Sequence, residues 1–110
     1  YVDIFAHPTG RIINERPGYN VDLEQIFEIA KDRNIALEIN AFPDRLDLND
    51  LGIKAAIEYG IKLAIGTDSH SIDQLHFIQL GVAQARRGWA TKKDILNTYP
   101  LTKLMQFFRK

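Results

Sequence analysis

The chain has 110 residues, with fourteen Lys and Arg balanced by fourteen Asp and Glu, and no cysteine. That length builds one small domain, and 45% hydrophobic with 25% charged residues excludes a disordered or low-complexity segment. Disulfides and thiolate metal sites are excluded, no apolar run is long enough to span a membrane, and a net charge of zero gives no whole-chain field for nucleic acid, though a local patch stays open.

Residues 1–6 read as a strand that His7-Pro8-Thr9-Gly10 breaks. With no initiator Met and no basic-then-apolar leader, the chain is expected to be a piece of a longer protein that begins inside a fold, with the cytoplasm as its compartment. A polar connection over 11–18 leads to Asp22, placed to cap a helix carrying Leu23, Ile26, Phe27 and Ala30, and Asn34 sits where that helix ends. Residues 36–40 form the second strand, with Phe42-Pro43-Asp44-Arg45 as its exit loop. Asn49 or Asp47 caps the next helix, which bears Leu51, Ala55 and Ile57 and stops at Gly60. Residues 62–67 form the third strand, ending at Asp68-Ser69-His70. Ser71 or Asp73 then opens a helix with Leu75, Ile78, Val82 and Ala85 as its apolar positions, broken at Gly88-Trp89. Thr91 caps a short helix through Ile95 and Leu96, and Pro100 separates it from a final amphipathic stretch over 104–110 with basic residues in its last turn.

Strands alternating with helices predict βαβ units, a parallel sheet and right-handed crossovers. In such α/β folds the C-terminal ends of the strands share one edge, and that edge carries the site. His7, then Asn40 with Asp44 and Arg45, then Asp68 and His70 fall at the three strand exits. Three βα units do not close a barrel, so an arc of one is expected, a partial (β/α) barrel.

Asp68-x-His70 puts two metal-ligand types two residues apart. Strand alternation would turn both to one side, where a carboxylate and an imidazole suit Zn²⁺, Mn²⁺ or Fe²⁺. The competing reading makes Asp68 a helix cap and His70 a turn residue. His7, held extended by Pro8, adds a third candidate ligand. His76 reads as a packed or surface histidine. Glu38 points into a barrel interior or pairs with a helix lysine, and Asn40 shares its side. Arg11 and Arg45 match phosphate oxygens bidentately, or are solvated loop charges. Arg86-Arg87 beside Trp89 is a weak nucleic-acid signal, and Lys92-Lys93 reads as a helix surface. No Gly-rich phosphate loop, Ser-His-Asp order or nucleophilic Cys is available.

His7-Pro8-Thr9-Gly10-Arg11, Leu37-Glu38-Ile39-Asn40-Ala41, Pro43-Asp44-Arg45-Leu46-Asp47, Ile65-Gly66-Thr67-Asp68-Ser69-His70 and the 81–89 stretch together resemble the C-terminal part of a PHP (polymerase and histidinol phosphatase) domain, in particular the version in bacterial family X DNA polymerases. The resemblance implies that residues 1–110 are three βα units of a distorted (β/α)7 barrel plus C-terminal helices. It implies a phosphoesterase with up to three divalent metals, Mn or Zn, at the strand ends. In the polymerases it implies manganese-dependent 3′-5′ exonuclease and processing of DNA 3′ ends in repair. His7, Asp68 and His70 match metal ligands, with Asp68 also placed to orient an attacking water, while Arg11 and Arg45 fall in motifs that would hold the phosphodiester. The family's early His-x-His motif and the other ligands of its first half are absent from this chain. The chain alone is therefore expected to be inactive without the missing N-terminal half of the barrel, and either to self-associate through its open edge or to be marginally stable. The alternatives are a non-catalytic scaffold or DNA-binding barrel, and a free-standing phosphatase acting on a small phosphate ester.

Overall fold

The computed structural model describes residues 2–109; Tyr1 and Lys110, at the ends of two expected elements, lie outside the described residues. Strand β1 is Ile4–Phe5, helix α1 Leu23–Arg33, strand β2 Ala36–Asn40, helix α2 Asp50–Glu58 and strand β3 Leu63–Gly66. A 3-10 helix over Ile72–Phe77 leads into α3, Ile78–Arg87; short 3-10 turns at Lys92–Asp94 and Leu96–Thr98 precede α4, Leu101–Phe108. The three strands form one parallel sheet in the order β1-β2-β3. The molecule is thus mixed α/β with a small parallel sheet.

Local chemistry sets the first elements as expected. Asp22 caps α1 by accepting the Gln25 N–H at 3.2 Å, and Asn34 ends it in the left-handed conformation at φ 55°. Of the two candidate caps for α2, Asn49 does the work, accepting the Gly52 N–H at 2.8 Å. Gly60 follows at φ 80°, a conformation glycine adopts without penalty.

β2 is the centre of the sheet and nearly all buried. Leu37 and Ile39 enter a core with Phe27, Ala30, Leu48, Ile53, Ala56, Leu63, Ala85 and Ile95. Each fully buried Leu or Ile contributes on the order of 2 kcal/mol. Glu38 and Asn40, alternating with them, lie on the sheet's other face.

The two edges of the sheet are unlike. Outside β3, Ile95 bridges Leu63 in parallel, and Asn97 imitates a strand. Its Oδ1 accepts the Ile65 N–H at 2.8 Å while its Nδ2 donates to the Ile65 carbonyl at 2.9 Å. Outside β1 no described strand pairs.

Three expectations need correction. The helix after Ser71 is broken into a 3-10 and an α segment, and Ser71 makes no side-chain cap bond. The face that α3 buries is Gly81, Gln84 and Ala85 rather than a stripe through Leu75 and Val82, both of which are exposed. The reason is close approach, because a Cβ on Gly81 would collide with Ile65 and sit 2.9 Å from the Ala41 Cβ. Finally, the last helix begins at Leu101 and stops at Phe108, with no basic residue in its last turn and Arg109 already extended.

Candidate functional site

The polar residues of β2 tie the three strand exits together. Glu38 Oε1 accepts the backbone N–H of His7 at 3.0 Å, and among the described residues it forms no ion pair with the helix lysine that one sequence reading offered. Asn40 is buried; its Oδ1 accepts the Phe42 N–H at 3.0 Å and its Nδ2 donates to Asp68 Oδ2 at 3.3 Å. Asp47, also buried, bridges back to Asn40 through the backbone in both directions, at 2.5 and 3.2 Å. Its carboxylate accepts the N–H groups of Thr9 at 3.0 Å and Gly10 at 2.9 Å, which explains why it does not cap α2.

These bonds fold the β1 exit into a turn closed by Gly10 N–H to the His7 carbonyl at 3.0 Å. His7 accordingly sits at φ 28°, not in the extended conformation that a following proline favours. Long-range capture of the loop by Glu38 and Asp47 overrides the local preference. Its side chain is exposed.

Arg11 acts as a staple across the same edge. Its Nε donates to the Arg45 carbonyl at 2.8 Å and its Nη2 to the Leu46 carbonyl at 2.5 Å, leaving Nη1 for other partners. Arg45 returns an Nη1 bond to the Arg11 carbonyl at 3.5 Å and sets Nε 3.7 Å from Asp68 Oδ2.

β3 ends at Gly66, before the Asp68-x-His70 pair, so strand alternation does not orient these residues. Asp68 turns the chain at φ 54°, a left-handed conformation that Asp tolerates better than most residues. The turn brings His70 Nδ1 to 2.8 Å from the Asp68 carbonyl oxygen. A carbonyl only accepts, so Nδ1 carries the proton, and in the neutral ring Nε2 is the nitrogen with a lone pair. The His70 backbone N–H donates to Gln74 Oε1 at 2.7 Å, fixing the turn from the other side. Asp68 does not cap the next helix; its carboxylate faces Asn40 and Arg45.

Asp68, His70 and Arg45 line an open hollow of about 200 Å³ together with Phe42, Asp44, Ile12 and Glu15. Phe42 stacks edge-on against Phe77 at 5.5 Å between ring centres, an apolar support beneath the polar rim. The donor types suit a divalent cation, since an imidazole with its proton committed elsewhere and a carboxylate held by an amide are the usual oriented ligands. Among the described residues no three His, Asp or Glu side chains come together to hold one, so a metal at this rim needs donors from beyond these residues. Asp68 and His70 line one hollow, which His7 does not, and among the described residues the three form no ligand cluster.

The chain is similar along its whole length to a bacterial DNA polymerase. It is 44% identical over 110 residues to the DNA polymerase/3'-5' exonuclease PolX of Bacillus subtilis (strain 168), covering all of this chain and 19% of that protein. It is also 29% identical over 80 residues, 64% of the chain, to a protein of Clostridium novyi (strain NT) named as a probable phosphatase, of which it covers 29%. The chain therefore spans less than a third of either relative. No protein-family model matches it.

The roles of Asn40 and Asp47 escaped the sequence reading. Asn40 was visible as a polar residue at a strand exit, and two residues past Glu38 on a short strand was a usable signal. Asp47 carried no such mark, because its partners lie 37 and 38 residues away. Other flagged groups are engaged elsewhere. Arg87 Nη2 reaches Asp50 at 3.5 Å, Lys54 lies 5.0 Å from the Trp89 ring centre, and His76 is an exposed residue beside Phe77.

Proposed function

We propose that this chain is the C-terminal part of a PHP-type barrel in a family X DNA polymerase, where it supplies part of a metal-dependent phosphoesterase acting on DNA 3′ ends. The 44% identity to PolX across all 110 residues carries this reading. The hollow at the strand exits agrees with it, since a carboxylate, an imidazole and a guanidinium meet where a parallel α/β sheet places its chemistry.

In this reading Asp68 and His70 hold a divalent ion through a carboxylate oxygen and Nε2, with His7 as a further ligand from the β1 exit. Such an ion, when bound, makes water a nucleophile near neutral pH and offsets charge on the phosphoryl oxygens. Arg45 neutralises one phosphodiester oxygen and Asn40 keeps Asp68 aimed at the hollow. Arg11, whose Nη1 has no hydrogen-bond partner among the described residues, adds a second contact. The remaining ligands come from earlier units of the barrel. Their packing place is the open side of β1, where Val2, Phe5, Ile26, Ile29, Ile35 and Leu37 line an apolar hollow of about 210 Å³.

The test is release of nucleotide from a 3′-labelled DNA strand by the longer parent protein with manganese. Asp68→Ala and His70→Ala should each lower the rate by a factor on the order of 10², the scale at which positioned charge acts in active sites. Chelation should abolish it, and the 110-residue chain alone should show none. Wild-type rates in both variants would overturn the reading. A second reading, hydrolysis of a small phosphate monoester, is favoured by the 29% identity to the probable phosphatase. Turnover of p-nitrophenyl phosphate with no release from DNA would select it.

A further inference from the structure

Four lysines gather at the end of the sheet opposite the candidate site. Lys62 directly precedes β3, and Ile95, which bridges Leu63 at the start of that strand, directly follows the Lys92–Asp94 turn. Asp68 lies beyond the strand's other end, on the order of 15 Å away at the usual rise per residue. Lys92, Lys93 and Lys103 line a hollow of about 360 Å³ with Thr98, Tyr99 and Pro100.

The group is held in place by its neighbours. The Lys93 carbonyl accepts from Lys62 Nζ at 3.2 Å and from the Tyr99 hydroxyl at 2.8 Å. Lys103 Nζ sits 4.1 Å from the Tyr99 ring centre, a cation–π contact that keeps its ammonium over the hollow. The one acid in this segment, Asp94, is buried and turned inward, accepting the Thr91 N–H at 2.8 Å and hydroxyl at 3.0 Å. Among the described residues, none of the four lysines forms an ion pair. In a chain whose net charge is zero, like charges have been collected on one surface and left without counter-charge.

We propose that this lysine surface binds the phosphate backbone of DNA, as a second contact remote from the catalytic edge. Lysines are point charges that grip phosphates without reading base sequence. The one aromatic ring in the group is covered by Lys103 on one face, which favours backbone contact over base stacking. The choice of DNA among polyanions rests on the function proposed above; the surface itself does not.

The test is fluorescence anisotropy of a short labelled DNA duplex with the full 110-residue chain across a salt series. Binding should weaken with salt at a log–log slope of about −3 to −4, the value for three or four neutralised phosphates. Lys92→Gln, Lys93→Gln and Lys103→Gln together should weaken binding at least about tenfold and flatten the slope by about one unit per lysine. Lys31→Gln on α1 should change neither, and unchanged circular dichroism would show that each variant folds. No binding by the native chain, or a triple variant with unaltered affinity and slope, would overturn the proposal. A parent protein that keeps its nuclease activity with Asp68→Ala defeats the catalytic reading alone, whereas an unaffected triple variant defeats the lysine surface alone.

Discussion

Asp47 shows how much one side chain holds at this edge. It is fully buried, and its carboxylate is the acceptor for two backbone N–H groups of a distant loop. Asp47→Ala removes both bonds, takes the Thr9 amide's acceptor away and leaves the Gly10 amide only the His7 carbonyl. The expected cost is about 2–3 kcal/mol, seen as a lower urea midpoint, with Asp47→Asn losing less because it keeps one acceptor oxygen. An unchanged midpoint for Asp47→Ala would mean that another group restrains the loop. This residue was only half legible in the sequence. Asp and Asn are about equally good N-caps, so two candidates spaced two apart could not be ranked by local pattern. The bracing role of Arg11 was not legible for the same reason, because a guanidinium that grips carbonyls from another loop has no local signature. Asp68 and His70 stood out as candidates because they lie two residues apart at a strand exit and both carry ligand chemistry.

At the scale of elements, α1 and β2 follow their caps and periodicity closely; α2 keeps its Asn49 cap but buries Gly52, Ile53 and Ala56 while the expected Leu51 is exposed, and the helix after Ser71 departs further. Apolar periodicity gives weight to large side chains, and Leu75 and Val82 supplied it. The sheet instead receives the helix side with the least bulk. Gly81 is therefore a sharp test of which force governs α3. In a free helix, Gly→Ala would gain about 1 kcal/mol of propensity. Here the new methyl would meet Ile65 and Ala41, and overpacking costs about 1–3 kcal/mol. Gly81→Ala should therefore lower the melting temperature, whereas a rise would show that α3 can back away from β3 freely.

At the scale of the molecule, the order of three parallel strands was readable from alternating strand and helix signals, because neighbouring βα units pack in chain order. How the sheet ends was not readable. Ile95 and Asn97 reach β3 from more than 30 residues away, and the β1 side depends on what packs there. With Phe5 and Ile29 exposed beside that side, the 110-residue chain should associate as its concentration rises in sedimentation velocity, and Phe5→Lys with Ile29→Glu should keep it monomeric. A native chain that stays monomeric at high concentration would count against this.

The Asn97 amide also decides what kind of assembly that can be. Two copies that meet through their β1 sides do so around a twofold axis, and each then has nothing left to offer a third; the symmetry closes at a dimer. Asn97→Ala would release the backbone groups of Ile65 and give every copy two different sticky sides. Head-to-tail addition then has no natural end, and the same chain should pass from closed pairs to open fibres.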